Sequence, residues 1–97
     1  MDIVKLWEKA FLNDAQSLIA LAFYYEKGNG VDENRELSYQ LYEKAAMTGN
    51  AEAQWRYAYV TAYWKGDIEK AKLWYKKSVE QGNDEAKRLL KALDSDA

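Results

Sequence analysis

The sequence predicts an all-α fold of about six helices arranged as antiparallel pairs, on three observations. A block of residues recurs at an offset of 33, each copy divides into two stretches of helical apolar spacing, and glycine-bearing turns separate the stretches in a chain without proline. Self-similarity at such a period marks a supersecondary unit that is repeated and stacked, and no stretch alternates as a half-buried strand would.

The recurrence is direct. Tyr42-Glu-Lys-Ala-Ala-Met-Thr-Gly-Asn50 aligns with Tyr75-Lys-Lys-Ser-Val-Glu-Gln-Gly-Asn83, and Ala51-Glu-Ala53 with Asp84-Glu-Ala86. A first helix is predicted over 2–12, where Leu6-Trp-Glu-Lys-Ala10 nearly duplicates Leu41-Tyr-Glu-Lys-Ala45, so the chain opens in the second helix of a unit. The next, over 14–27, buries Leu18, Leu21, Ala22 and Tyr25 and ends at Gly28-Asn29-Gly30, whose glycines can take the positive φ that stops a helix. Asp32 is expected to cap the helix over 33–48, with Ser38, Leu41, Tyr42, Ala45 and Ala46 as its buried stripe. The helix over 51–65 repeats the first stripe as Gln54, Tyr57, Ala58 and Thr61. Gly66-Asp67 supplies a stop and a new cap, and the helix over 68–81 buries Ile68, Ala71, Tyr75, Ser78 and Val79. A last helix is expected over 84–93, with Lys87, Arg88 and Lys91 outward and the acidic residues 94–97 fraying. The organisation predicted is therefore one domain: a capping half-repeat at 1–13, repeats at 14–50 and 51–83, a capping helix at 84–93 and a tail at 94–97.

Small residues, Ala22 and Ala58 in first helices and Ser38, Ala45, Ala71 and Ser78 in second helices, fall where the two helices of a unit would cross. Large neighbours such as Leu21, Tyr42, Tyr57 and Tyr75 would fill the grooves beside them.

Composition narrows the chemistry. The 97 residues include no Cys and no His, which removes disulfides, thiolate and His-based nucleophilic sites, and the usual zinc ligand sets. None of the 16 acidic residues stands on an apolar face where burial could raise its pKa for acid catalysis. No enzyme, metal or cofactor is expected. The net charge of −2 disfavours nucleic acid and anionic membranes as partners. Charges lie within the first nine residues, and the longest uncharged run, Ala15 to Tyr25, is 11 residues long. That is short of the roughly 20 residues of a bilayer span, so the expected location is the cytosol.

The run Leu21-Ala22-x-x-Tyr25-x-x-Gly28-x-Gly30-Val31, continued by Ala51-x-Ala53-Gln54 and Lys70-Ala71-x-x-Trp74-Tyr75-x-Lys77-Ser78, resembles the Sel1-like repeat (SLR) family of the tetratricopeptide-repeat (TPR) superfamily. The resemblance covers most of positions 5 to 91. Ala22 stands where the family prefers Gly, Tyr57 and Thr61 replace its usual Leu and Tyr, and the short Gly66-Asp67 turn is closer to a plain tetratricopeptide repeat. The resemblance implies an α-solenoid whose first helices line a concave surface, with an adaptor or scaffold role.

Trp55, Tyr59 and Tyr63 stand at i, i+4 and i+8, on a face distinct from the buried stripe of the same helix. The equivalent face of the preceding unit carries Ile19 and Phe23. These side chains form either an aromatic groove for a guest or a second packed face; the spacing leaves both open. On the groove reading, a protein or peptide partner contacts Ile19, Phe23, Trp55, Tyr59 and Tyr63, with Glu26, Arg56 and Arg88 at the rim. The molecule is expected to be a monomer. A stand-alone inhibitor or immunity protein that neutralises a toxin or effector enzyme is the alternative, since a short acidic chain with few repeats suits a dedicated binder.

Two further patterns bear on function. Residues 65–93 carry 8 bases against 5 acids, with Lys65, Lys70, Lys72, Lys76 and Lys77 interleaved with Trp64, Trp74 and Tyr75. This reads as a solvated helix face or an acidic-protein contact rather than a nucleic-acid surface. Asp32-x-Asn34-x-Glu36 resembles a calcium loop only superficially, because Leu37 stands where such a loop needs Gly.

Overall fold

The computed structural model describes residues 2–95, with six α-helices among them: α1 (Ile3–Phe11), α2 (Ala15–Lys27), α3 (Arg35–Met47), α4 (Ala51–Lys65), α5 (Ile68–Glu80) and α6 (Asp84–Ser95). Every helix is started by an Asp or Asn side chain that accepts a backbone N–H from its first turn: Asp2 from Val4, Asp14 from Ser17, Asn34 from Leu37, Asn50 from Ala53, Asp67 from Lys70 and Asn83 from Ala86. Such caps satisfy donors that have no partner inside the helix. The cap of α3 is Asn34 rather than the expected Asp32. Asn34 is extended at φ −148°, and its own N–H donates to the Tyr25 carbonyl at 2.8 Å, which holds the chain against α2 until the helix begins.

Helices α1 and α2, α3 and α4, and α5 and α6 are joined by turns of identical build, 12–14, 48–50 and 81–83. The middle residue of each takes a positive φ: Asn13 at 61°, Gly49 at 93° and Gly82 at 86°. This fixes the true register of the repeat. Leu12, Thr48 and Gln81 are equivalent C-caps, so Ala10 corresponds to the buried Ala46, and the likeness of Leu6–Ala10 to Leu41–Ala45 is one residue out of register. The other two turns differ. Residues 28–34 link α2 to α3, whereas 66 and 67 alone link α4 to α5, and α4 is two residues longer than α2.

Consecutive helices pack against one another, and α4 also touches α6, giving an elongated body of 40 × 24 × 17 Å. The chain is an all-α solenoid of helix pairs. All six small crossing residues, Ala22, Ser38, Ala45, Ala58, Ala71 and Ser78, are fully buried. The Ser38 hydroxyl donates to the Ala22 carbonyl at 2.6 Å and the Ser78 hydroxyl to the Ala51 carbonyl at 2.7 Å, which is possible only because the backbones approach closely. Ala22→Leu or Ala58→Leu is expected to overpack its crossing by about 1–3 kcal/mol, read as a lower midpoint in thermal unfolding.

The core divides at α4. One cluster joins α1–α4 through residues such as Leu18, Leu21, Leu41, Tyr42 and Tyr57, and a second joins α4–α6 through Ala58, Ala62, Ala71, Tyr75 and Ala86. Burial on both sides explains why α4 is apolar all round. Ile68 departs from its expected place: as the first residue of α5 it is exposed, and Val79 and Tyr25 are half-buried. Asp94 and Ser95 continue α6 instead of fraying, held by a Lys72–Asp94 ion pair at 3.2 Å and a Ser95 hydroxyl bond to the Lys91 carbonyl. The remainder of the expected tail, 96 and 97, lies outside the described residues. Among those residues no helix is long and apolar enough to cross a membrane.

Candidate functional site

The first helices of the pairs, α2, α4 and α6, share one flank of the solenoid and enclose an open cleft of about 360 Å³. Phe23 comes from α2, Trp55, Tyr59 and Val60 from α4, and Leu89 from α6, so the apolar floor draws on three helices. Polar groups ring it: Glu26 and Lys27 on one side, Arg56 in the middle, Glu85 and Arg88 on the other. Phe23 of α2 and Tyr59 of α4 are each a little over 40% exposed.

The charges are held in place within the protein. The Arg56 guanidinium lies over the Trp55 ring at 4.6 Å and donates through Nε to Glu52 at 3.0 Å. Lys27 reaches Glu26 at 3.6 Å and stands over Phe23 at 5.8 Å. Arg88 hydrogen-bonds to Glu85 one turn earlier, which raises its pKa above the ordinary guanidinium value. Tyr42, from the second helix α3, passes between α2 and α4, and its hydroxyl donates to Glu26 at 2.9 Å. The cleft thus offers apolar rings flanked by fixed donors and acceptors of both signs, an arrangement suited to binding.

Of the eight side chains expected to meet a partner, six (Phe23, Glu26, Trp55, Arg56, Tyr59 and Arg88) line this cleft. Ile19 belongs mainly to the core, 7% exposed, and only its edge reaches a shallower hollow beside the cleft, with Gln16, Ala20, Tyr24 and Arg56. Tyr63 lies outside the cleft on the solvent side, its ring 4.6 Å from that of Tyr59. Trp55 serves two surfaces, since it is half-buried against the second core cluster while it also lines the cleft. Sequence reasoning missed Lys27, Tyr42, Val60, Glu85 and Leu89 as lining. Tyr42 was legible only as a core residue, and the single local signal for Glu85 was its i, i+3 spacing from Arg88.

Three of the five lysines of the basic segment pair within the chain: Lys65 with Glu36 at 2.8 Å, Lys70 with Glu43 at 4.0 Å and Lys72 with Asp94. The calcium-like spacing is consumed by the fold, with Asn34 capping α3 and Ser38 buried against Ala22. Among the described residues there is no group of His, Cys, Asp and Glu able to hold a metal.

Three tyrosines resist ionisation. Burial, aided by the Glu26 carboxylate, holds the Tyr42 phenol well above its ordinary value of 10.0. Burial again dominates at Tyr57, with hydrogen bonds to Tyr39 and Glu43 adding to it, and at Tyr75, near Tyr63, Tyr59 and Glu85. A pKa raised in the folded state contributes stability that is intact below the unfolded value and is lost as pH rises through it, because the unfolded chain releases those protons first. Stability should therefore fall above pH 10. An absorbance titration of the 8 tyrosines should show Tyr42, Tyr57 and Tyr75 ionising only as the helical signal collapses.

A short helical-repeat solenoid with a ring-lined concave flank defines a repeat-type interaction module. The chain belongs to the Sel1 repeat family, whose model matches residues 15–50 and 51–83. It is similar to a protective antigen of uropathogenic Escherichia coli strains that displays an SLR fold, at 31% identity and a TM-score of 0.85 over 94% of this chain and 20% of that one. It is also similar to a Sel1 repeat protein from Oxalobacter formigenes, at 33% identity and a TM-score of 0.81, over 90% of this chain and 68% of that one. Among curated proteins it is 30% identical over 83 residues to chitin synthase regulatory factor 4 of Schizosaccharomyces pombe. It spans 84% of its own length but 13% of that relative's. Sel1 repeat proteins generally mediate protein–protein interaction, and the repeat is typically a non-catalytic module.

Proposed function

We propose that this protein is a non-catalytic adaptor that binds a protein segment in the cleft between α2, α4 and α6, with helices α1 and α6 acting as caps of the array. The observation that carries the reading is the placement of Phe23, Trp55 and Tyr59, drawn from two neighbouring first helices, in one concavity with Glu26, Arg56 and Arg88 around them. Rings of this kind anchor interfaces because they bury large areas at little cost in side-chain entropy. The regulatory role named for the fission-yeast relative agrees with an accessory rather than a catalytic part.

Affinity capture from the cells that express the chain tests this, with wild type and Tyr59→Ala run side by side. A protein retained by wild type and lost from the variant supports the cleft as the binding surface. Equal retention by both would move binding elsewhere. Should the captured protein be a toxin or effector enzyme inhibited by the complex, the function is neutralisation rather than scaffolding.

A further inference from the structure

Five asparagines occur in the chain, and four of them are tied into the fold. Asn34, Asn50 and Asn83 use their side-chain oxygens to cap α3, α4 and α6, each accepting a backbone N–H at 2.8–3.0 Å. Asn13 is followed by Asp14, whose own N–H is engaged with the Lys9 carbonyl at 3.2 Å. Asn29 differs on every count. It stands exposed just past the Gly28 cap of α2, its side chain makes no hydrogen bond among the described residues, and the next residue is Gly30. Its own N–H is anchored to the Tyr24 carbonyl at 3.0 Å, whereas the N–H of Gly30 has no backbone acceptor. Gly30 is exposed at φ 79°, and a β-carbon there would meet nothing within 4 Å. The Gly30 nitrogen is therefore open to water and free to give up its proton.

An asparagine side-chain amide can close a five-membered ring with the main-chain nitrogen of the following residue. A side chain on that residue hinders the closure, and hydrogen bonds to either group oppose it; at Asn29 and Gly30 both obstacles are missing. We propose that Asn29 is a site of self-modification, at which the Gly30 nitrogen attacks the Asn29 side-chain amide and water then converts the residue to a mixture of aspartate and isoaspartate. A base from solvent takes the Gly30 N–H proton, the nitrogen lone pair forms a bond to Cγ, and the bond from Cγ to Nδ2 breaks. Ammonia leaves, with a proton returned by water. Water then opens the cyclic imide. Cleavage between the Gly30 nitrogen and Cγ gives aspartate, and cleavage between that nitrogen and the main-chain carbonyl carbon gives isoaspartate, whose backbone is one carbon longer. No oxidant or reductant takes part. Either product adds a negative charge to a chain already at −2, and places it at the C-terminal end of α2, where the helix dipole is also negative. The longer isoaspartate backbone falls within 28–34, the segment that joins α2 to α3.

Incubation of the full chain at mildly alkaline pH, below the range in which its tyrosines ionise, tests the proposal by peptide mapping with mass spectrometry. Wild type should accumulate two acidic products at residue 29, equal in mass and separable by chromatography. They should form faster than any product at Asn13, Asn34, Asn50 or Asn83, and faster still as pH rises. Gly30→Ala, which sets a methyl group beside the attacking nitrogen, should slow the conversion about tenfold or more. Asn29→Gln leaves Gly30 in place and moves the amide one carbon farther out, so it should yield no acid at residue 29 over the same period. Circular dichroism verifies that both variants are folded. Retention of the amide at Asn29 while the same segment converts as a free peptide would overturn the proposal. So would aspartate formed without isoaspartate, or conversion at Asn29 no faster than at the other asparagines.

Discussion

Replacing Tyr57 by alanine is expected to destabilise the protein by about 3–5 kcal/mol, the largest loss for any single side chain here. The ring is fully buried in α4 and lies 5.3 Å from both Tyr39 of α3 and Trp74 of α5, so it fills the junction between the two repeats rather than a pocket within one. Its hydroxyl donates to Glu43 at 2.8 Å and accepts from Tyr39 at 3.2 Å, and Thr61 lies 3.3 Å from the Tyr39 oxygen. Alanine empties that volume and strips two partners of their hydrogen bond. Tyr57→Phe separates the contributions, since it keeps the ring and removes only the hydroxyl, at about 0.5–1.5 kcal/mol. Domains of this size hold only about 5–15 kcal/mol in total, so Tyr57→Ala should be partly unfolded at moderate temperature. Urea midpoints for the two variants give the comparison. Equal losses would mean that the ring contributes nothing beyond its hydroxyl.

The second large effect is on binding, where Trp55→Ala and Tyr59→Ala should each lower affinity for the partner by about 2 kcal/mol or more, as anchors at interface centres do. Their effects on stability should differ. Trp55 is half-buried against the second core cluster of Ala58, Ala62, Ala71, Tyr75 and Ala86, so its loss lowers the thermal midpoint as well. Tyr59 is 42% exposed and rests on Tyr63, so its loss should leave the midpoint nearly unchanged. Titration of the captured partner, with unfolding curves run on the same samples, checks both. A Trp55→Ala protein that is less stable yet binds normally would assign that ring to packing alone.

Much of the fold was legible because its signals are local. The 33-residue recurrence, the Asp and Asn caps and the glycine turns each specify backbone within a few residues, and small residues at Ala22, Ser38, Ala58 and Ala71 mark the crossings. What escaped is set by neighbours distant in sequence. Asn34 displaces Asp32 as the cap because Tyr25 on the previous helix receives its N–H. The first half-repeat aligned one residue out of register because near-identical residues outweighed the turn, although Asn13 plays the part of Gly49 and Gly82 there. At the cleft, the i, i+4 spacing found Trp55 and Tyr59, but Tyr63 continues that spacing onto an outer surface as the helix rotates away. Tyr42 and Leu89 enter only because helices distant in sequence, α2, α3, α4 and α6, converge on one flank.

The central claim, that guests lie along the flank made by the first helix of each pair, is tested most directly by amide hydrogen exchange of the chain with and without its captured partner. Slowed exchange concentrated in α2, α4 and α6, around Phe23, Trp55–Val60 and Glu85–Leu89, is the predicted pattern. Slowing confined to the outer faces of α3 and α5, with those segments unchanged, would contradict it.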